Sequence, residues 1–132
     1  MYLIDTNIFL EVMLNQKNSD VVKGFFNRAT FLQLFVSDFS LFSIGIIHLR
    51  EKNPEPFLKL VNDDILASGI RTISLPLDSY SRIVEHARTY NLDFDDAYQY
   101  AVAEHFHLDL VSFDHDFDRT EKKRVTPDTL FR

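Results

Sequence analysis

The order of apolar runs along this chain predicts an α/β domain built on a mainly parallel sheet. Three observations carry that expectation. Short β-rich runs alternate with stretches of helical spacing, in the order strand, helices, strand, helices, strand, helix, helix, strand. With 132 residues and 45% hydrophobic side chains, the chain is about one domain's worth and can bury its own core, so 1–132 reads as a single domain. Acids also stand at the ends of the first and last strands, Asp5 and Asp114, which is where an open α/β sheet binds ligands.

Each element has its own justification. Residues 1–4 form a β-rich run that ends at Asp5, and "TNIFLEVMLN" follows with Ile8, Phe9, Val12 and Met13 at helical spacing. Ser19 is placed to cap a second helix through Asn27. "FLQLFVS" (31–37) is the next strand run, and "SLFSIGIIHLREK" (40–52) the helix after it. Pro54 opens "PEPFLKLVNDDILAS" and Gly69 stops it, because proline suits a first turn and glycine the residue past a helix end. "IRTISLPL" (70–77) alternates as a strand, and Asp78 then caps a helix with Tyr80, Ile83, Val84 and Ala87 on one face. A last helix spans about Asp95 to Phe106, and "LDLVSF" (108–113) closes the set as a strand.

Composition excludes several chemistries. The chain has no cysteine, so it has no disulfide framework, thiolate zinc site or catalytic thiol, and it fits a reducing compartment. Neither GxGxxG nor GxxxxGK[ST] occurs, which removes the phosphate-cradling loops of nucleotide folds. The start lacks a basic n-region and carries an acid at position 5, so no signal peptide is expected. The most apolar stretch, residues 39–49, is too short to span a bilayer, and the expectation is a cytoplasmic protein with no membrane contact. A net charge of −6 argues mildly against a DNA-binding module, though not against an enzyme whose acids gather at a metal.

Asp5, Asp96 and Asp114 are the candidate site. Singly, each has an ordinary structural reading: Asp5 caps the helix at Thr6, Asp95 or Asp96 caps its own, and "DHDFD" is a solvated loop. Together they say more, because right-handed crossovers bring helix N-termini to the same sheet edge as the strand C-termini. Two carboxylates ~4 Å apart repel by about 4 kcal/mol at an effective dielectric of roughly 20, so a converging set must protonate or take up a cation. An oxygen-only donor set points to Mg²⁺ or Mn²⁺ rather than zinc. Such ions lower the pKa of a bound water and clamp phosphate oxygens during in-line attack.

Two rival readings of the acidic loop fail. Asp114, Asp116 and Asp118 match the first ligands of an EF-hand, but Arg119 stands where its glycine belongs and Val125 where its glutamate belongs. "DFDRT" resembles the DxDxT of haloacid-dehalogenase-like phosphatases, a motif that belongs after the first strand, whereas here 12 residues follow Thr120. His105 and His107, two apart at a helix end, point to different faces and suit the helix dipole better than a metal; His115 reads as an exposed loop residue.

These residues resemble the PIN-domain ribonucleases, especially the small VapC-like toxins of toxin–antitoxin pairs. "YLIDTNIFL" is similar to the family's strand-plus-DTN opening. "DFDDAYQYAVAEHFHLDLVSFDHDF" is similar to its helix-to-last-strand signature, with Asp96 and Asp114 18 positions apart. The resemblance covers essentially the whole chain and implies a PIN-like three-layer domain, with a parallel sheet of four or five strands flanked by helices. It implies a Mg²⁺ or Mn²⁺ site held by Asp5, Asp96 and Asp114, with Asp116 as a further acid, and hydrolysis of RNA by a toxin. Thr6 and Asn7 match residues that support the carboxylates by hydrogen bonds.

One departure stands out. The family carries a glutamate early in the helix after the second strand, and in "VSDFSLFSIG" that register falls on Ser43. A serine there supports the site without adding charge, so the site holds one ion instead of two, or holds it weakly. Asp38 is the candidate substitute; Asp95 is expected to point off along its helix. The alternative reading is a degenerate PIN domain that binds RNA or a protein partner without cutting. A nuclease acting on DNA would use the same acids.

"RTEKKR" (119–124) is either a solvated charge run or a phosphate clamp, with Arg119 the candidate substrate contact because it stands nearest the acids. Phe39, Leu41, Phe42, Ile46 and Ile47 are more apolar than one helix face needs. In the family such a surface suits a homodimer or the docking of a cognate antitoxin.

Overall fold

β1 (Tyr2–Ile4) is an inner strand of a four-stranded sheet in the computed structural model, which describes residues 1–29 and 33–130. The strand order is β3-β2-β1-β4, where β2 is Leu34–Ser37, β3 is Arg71–Ile73 and β4 is Asp109–Val111. Every pairing is parallel, and Leu3 lies beside Phe35 on one side and Leu110 on the other. The chain steps outward from β1 to β2 to β3, then returns to lay β4 against the far side of β1. β1 and β4 therefore flank a topological switch point, where a crevice opens at the carboxyl ends of the strands.

The helices cover both faces. On β1 and β4, neighbouring residues alternate between two cores: Leu3 and Leu110 join one, Ile4 and Val111 the other. The first core takes α5 (Ser81–Tyr90) and α6 (Phe94–Phe106); Ala97, Ala101 and Val102 pack there against Ile83 and Leu108. The second takes α1 (Thr6–Met13), α2 (Ser19–Arg28) and α3 (Asp38–Arg50), through Ile8, Phe9, Val22, Phe25 and Ile44. α4 (Glu55–Lys59) runs on as a π-helical segment over Leu60–Ala67, and α7 (Pro127–Leu130) is a last short turn of helix. This is the three-layer α/β architecture expected, with four strands and seven α-helices among the described residues. No helix among those residues is long and apolar enough to cross a membrane.

Several boundaries move, each for a local reason. The strand expected over 70–77 pairs only over Arg71–Ile73, because Leu75 donates its N–H to the Tyr98 hydroxyl at 3.0 Å and Pro76 has none to give. Asp78 does not cap α5. It lies in a 3₁₀ turn, Leu77–Ser79, and Tyr80 takes the cap position. The buried stripe of α5 is Ile83, His86, Ala87 and Tyr90, whereas Val84 is 49% exposed and Tyr80 38%. Asn18, not Ser19, precedes α2, and α3 starts at Asp38 because the Ser37 hydroxyl accepts from Ser40 N at 3.1 Å. Phe31 and Leu32 of the predicted strand run lie outside the described residues. Gly69 ends the π segment with φ +89°, where a Cβ would be strained.

A 3₁₀ turn over His115–Arg119 carries the acidic loop, and Phe117 pins it with a fully buried ring in the α5–α6 core. Phe117→Ala is expected to cost about 3–5 kcal/mol in urea denaturation, the usual loss for a buried phenyl ring. A cost under about 1 kcal/mol would show that the turn is held by other means.

Candidate metal centre

Asp5 follows β1 directly and caps α1, and its side chain is 6% exposed. Three donors converge on it. Thr6 N and Gln99 Nε2 reach Oδ1 at 2.8 and 2.9 Å, and Ser112 Oγ reaches Oδ2 at 2.6 Å. A carboxylate offers about four lone-pair positions, so one, on Oδ2, stays open to a ligand. Burial pushes the Asp5 carboxyl above its usual range, against the pull of those three hydrogen bonds. Asp114 adds a smaller push in the same upward direction.

Ser112 couples Asp5 to the acidic loop. Its hydroxyl donates to Asp5 and accepts from Asn7 Nδ2 at 3.2 Å and from Asp114 N at 2.9 Å, so its capacity is filled. Asp114 in turn accepts from Asp116 N at 2.9 Å, which folds the loop back toward α6. Carboxylate oxygens of Asp96, Asp114 and Asp116 all lie within 4.8 Å of one another. Asp96, half-buried in the first turn of α6, is pushed up to about 8, first by burial and then by Asp114, Asp93 and Asp5. Such a group either holds a proton at neutral pH or meets a cation. The oxygen-only set fits Mg²⁺ or Mn²⁺.

The acids open onto a cleft of about 390 Å³, lined also by Thr6, Asn7, Ser43 and Gln99, with Leu10, Phe39, Ile46 and Ile47 as an apolar wall. Ser43, at the register where the family carries its glutamate, is one of those lining residues. Asp95, expected to point away, also lines it. Asp38 does not substitute for the missing glutamate: it is not among the residues lining the cleft, and its Oδ1 turns to the Tyr98 hydroxyl at 2.6 Å and Phe39 N at 2.8 Å. Thr6 supports Asp5 through its backbone, while its hydroxyl donates to Ser40 at 2.8 Å; Asn7 acts one bond further back, through Ser112.

Three of the four bases in the basic run bind the protein's own groups. Arg119 donates to the Tyr90 and Asn91 carbonyls at 2.9 and 2.7 Å and to Asp116 at 3.2 Å. It therefore braces the loop against the end of α5 instead of presenting a free fork. Arg124 binds Asp118 at 3.0 and 3.2 Å, which holds the Asp118 carboxyl below its usual range, with His115 adding to the effect. Lys122 binds the Leu108 carbonyl and Asp109.

A profile of the PIN domain matches residues 2–123. The chain belongs to the PIN domain family. Solved structures agree on the fold. A toxin–antitoxin complex from Klebsiella pneumoniae superposes with a TM-score of 0.74 at 20% identity, covering 96% of this chain and 98% of that one. Mycobacterium tuberculosis VapC20, a sarcin-ricin loop cleaving toxin, gives 0.78 at 15% identity, covering 95% and 98%. FitAB bound to a DNA fragment gives 0.73 at 19%, covering 96% and 95%. No curated protein matches the chain.

Reading the sequence missed two of this PIN domain's polar partners. Gln99 stands three residues after Asp96 in "DDAYQYA", a polar residue within a helix stretch that is otherwise buried and apolar. Ser112 is the polar residue of "LVSF", two before Asp114. Both signals were legible: a lone polar residue in a buried run needs a partner, and each sits close to an acid.

The raised Asp96 gives a pH dependence. Unfolded, it titrates near 3.8; folded, at about 8. Its protonated form therefore favours the native state in acid, and that contribution is lost as pH rises through 8. The urea midpoint of chelator-treated protein should fall between about pH 4 and 8. Asp96→Asn should flatten the profile in part, because Asp5 shifts the same way. Parallel profiles for wild type and Asp96→Asn would remove the claim.

Proposed function

We propose that the protein is a divalent-metal-dependent endoribonuclease and the toxin of a toxin–antitoxin pair. The convergence of Asp5, Asp96 and Asp114 in one cleft at the switch point, with Asp116 beside them, carries this reading. PIN domains are nucleases as a class, and the similar structures include toxin–antitoxin complexes and a toxin that cleaves RNA. Those likenesses support RNA as the substrate and an antitoxin as the partner.

Asp96, Asp114 and Asp116 would hold the cation, Mg²⁺ or Mn²⁺, with Asp5 as a further carboxylate lining the same cleft. A bound ion would supply an activated water and neutralise charge on the scissile phosphate. The chain's own residues do the rest. Ser112, Gln99 and Thr6 N keep Asp5 in one orientation. Leu10, Phe39, Ile46 and Ile47 keep water from one side of the cleft. Arg119 and Arg124 hold the loop acids in place. On α3, Phe42, Ile46 and Leu49 are 67%, 55% and 65% exposed at i, i+4 and i+7 spacing. That stripe suits a homodimer or the docking of the antitoxin.

Asp5→Asn, Asp96→Asn and Asp114→Asn should each keep the fold and lower RNA cleavage by more than about 100-fold, the upper range for losses at positions behind the ligands. Undiminished cleavage in any of the three sinks its assignment, and parallel DNA oligonucleotides decide between the two sugars.

Ser43 favours a second reading, a PIN domain that binds without cutting, because the α3 residues that line the cleft, Phe39, Ser43, Ile46 and Ile47, include no acid. Ser43→Glu should tighten Mn²⁺ binding by about tenfold. A wild type that cleaves no RNA beside a cleaving Ser43→Glu variant would establish the binding reading.

A further inference from the structure

Gln99 is 2% exposed, and its amide touches three of the elements converging on the acidic cleft. The Nε2 donates to Asp5 Oδ1 at 2.9 Å, behind β1, and to Ser40 Oγ at 2.8 Å, in the first turn of α3. The Oε1 accepts from Ser37 Oγ at 2.7 Å, at the end of β2. The residue itself belongs to α6, one turn after Asp96 and on the same face. Only one orientation of the amide satisfies these partners. Flipped, it would set its carbonyl oxygen against the Asp5 carboxylate and its NH₂ against the Ser37 hydroxyl, and the contact with Asp5 would become repulsive.

Deepening the metal-site reading above, and resting on it, we propose that Gln99 is a positioning residue of the site: its amide fixes the Asp5 carboxylate relative to Asp96. The partners give the reason. Thr6 N is bound to the rotamer of its own neighbour, and Ser112 answers to the acidic loop. Among the described residues Gln99 is the one that hydrogen-bonds Asp5 to the helix carrying Asp96, so it sets the spacing between the buried acid and the group of three. An apolar residue of equal size would fill the same space and pack as well. It would leave Asp5 Oδ1 and the Ser37 and Ser40 hydroxyls short of a partner, free to turn.

Mn²⁺ affinity, measured by calorimetry on the purified full chain, tests this. The set is wild type, Asp5→Asn, Gln99→Met and Gln99→Asn, with thermal unfolding of each metal-free protein alongside. Gln99→Met keeps the volume and removes the amide. Gln99→Asn keeps the amide but is one methylene too short to span Ser37 and Asp5, and it guards against a Met variant that fails to fold. The expected result is Mn²⁺ binding weakened at least about tenfold in whichever Gln99 variant folds, the scale set by residues that orient metal ligands. A merely structural Gln99 would lower the melting temperature and leave the affinity of the folded protein within twofold of wild type, which overturns the proposal. Retained affinity in the Gln99 variants beside lost affinity in Asp5→Asn overturns only the role of Gln99. No Mn²⁺ binding by the wild type overturns the metal site, and this proposal with it.

Discussion

Asp5 is 6% exposed, and an ionised carboxylate with so little water around it must be given donors or be neutralised. Much of the surrounding structure answers that demand. Ser112 comes from the end of β4, Gln99 from α6 and Thr6 N from the first turn of α1, so one buried charge draws three separate elements together. Those donors carry their own obligations: Ser112 to Asn7 and Asp114, Gln99 to Ser37 and Ser40, Ser40 to Thr6. The polar network under the cleft is thus a chain of satisfied groups that begins at a single aspartate.

Topology explains why such a network can exist here. The chain leaves β1 in one direction and returns to its other side, so β1 and β4 end beside each other with no helix between them at that edge. Asp5 and the segment from Ser112 to Asp114 meet in the gap. The N-termini of α1 and α6 open onto the same edge, and their partial positive charge offsets some of the repulsion among the acids. The offset is incomplete. Asp96 is pushed up to about 8, and a set of carboxylates within 4.8 Å of one another stores repulsion that a divalent cation would relieve.

The three aspartates of "DHDFD" divide the work by position. Asp114 caps the 3₁₀ turn and faces Asp96. Asp116 is shared between the acidic group and Arg119, and Asp118 belongs to Arg124. Arg119 and Arg124, which follow, are the loop's structural counterions, while Lys122 pairs with Asp109 of β4.

The fold class, two acids at strand ends and a third at a helix start were legible in the sequence alone. Alternating strand and helix periods leave few parallel topologies, and right-handed crossovers put strand C-termini and helix N-termini on one edge. What the sequence left undecided were facts of partnership. Asp38 looked available as a substitute acid until the Tyr98 hydroxyl, 60 residues away, took it up. Arg119 looked like a phosphate contact until the end of α5 came within reach of its guanidinium. Gln99 and Ser112 were visible as polar residues in apolar runs, yet their partner was not, since it lies 94 and 107 positions away. Periodicity reports which face of an element a side chain occupies. Only the packed tertiary structure decides what meets it there, because a hydrogen bond depends on distances of a few tenths of an ångström between elements that the sequence does not place side by side.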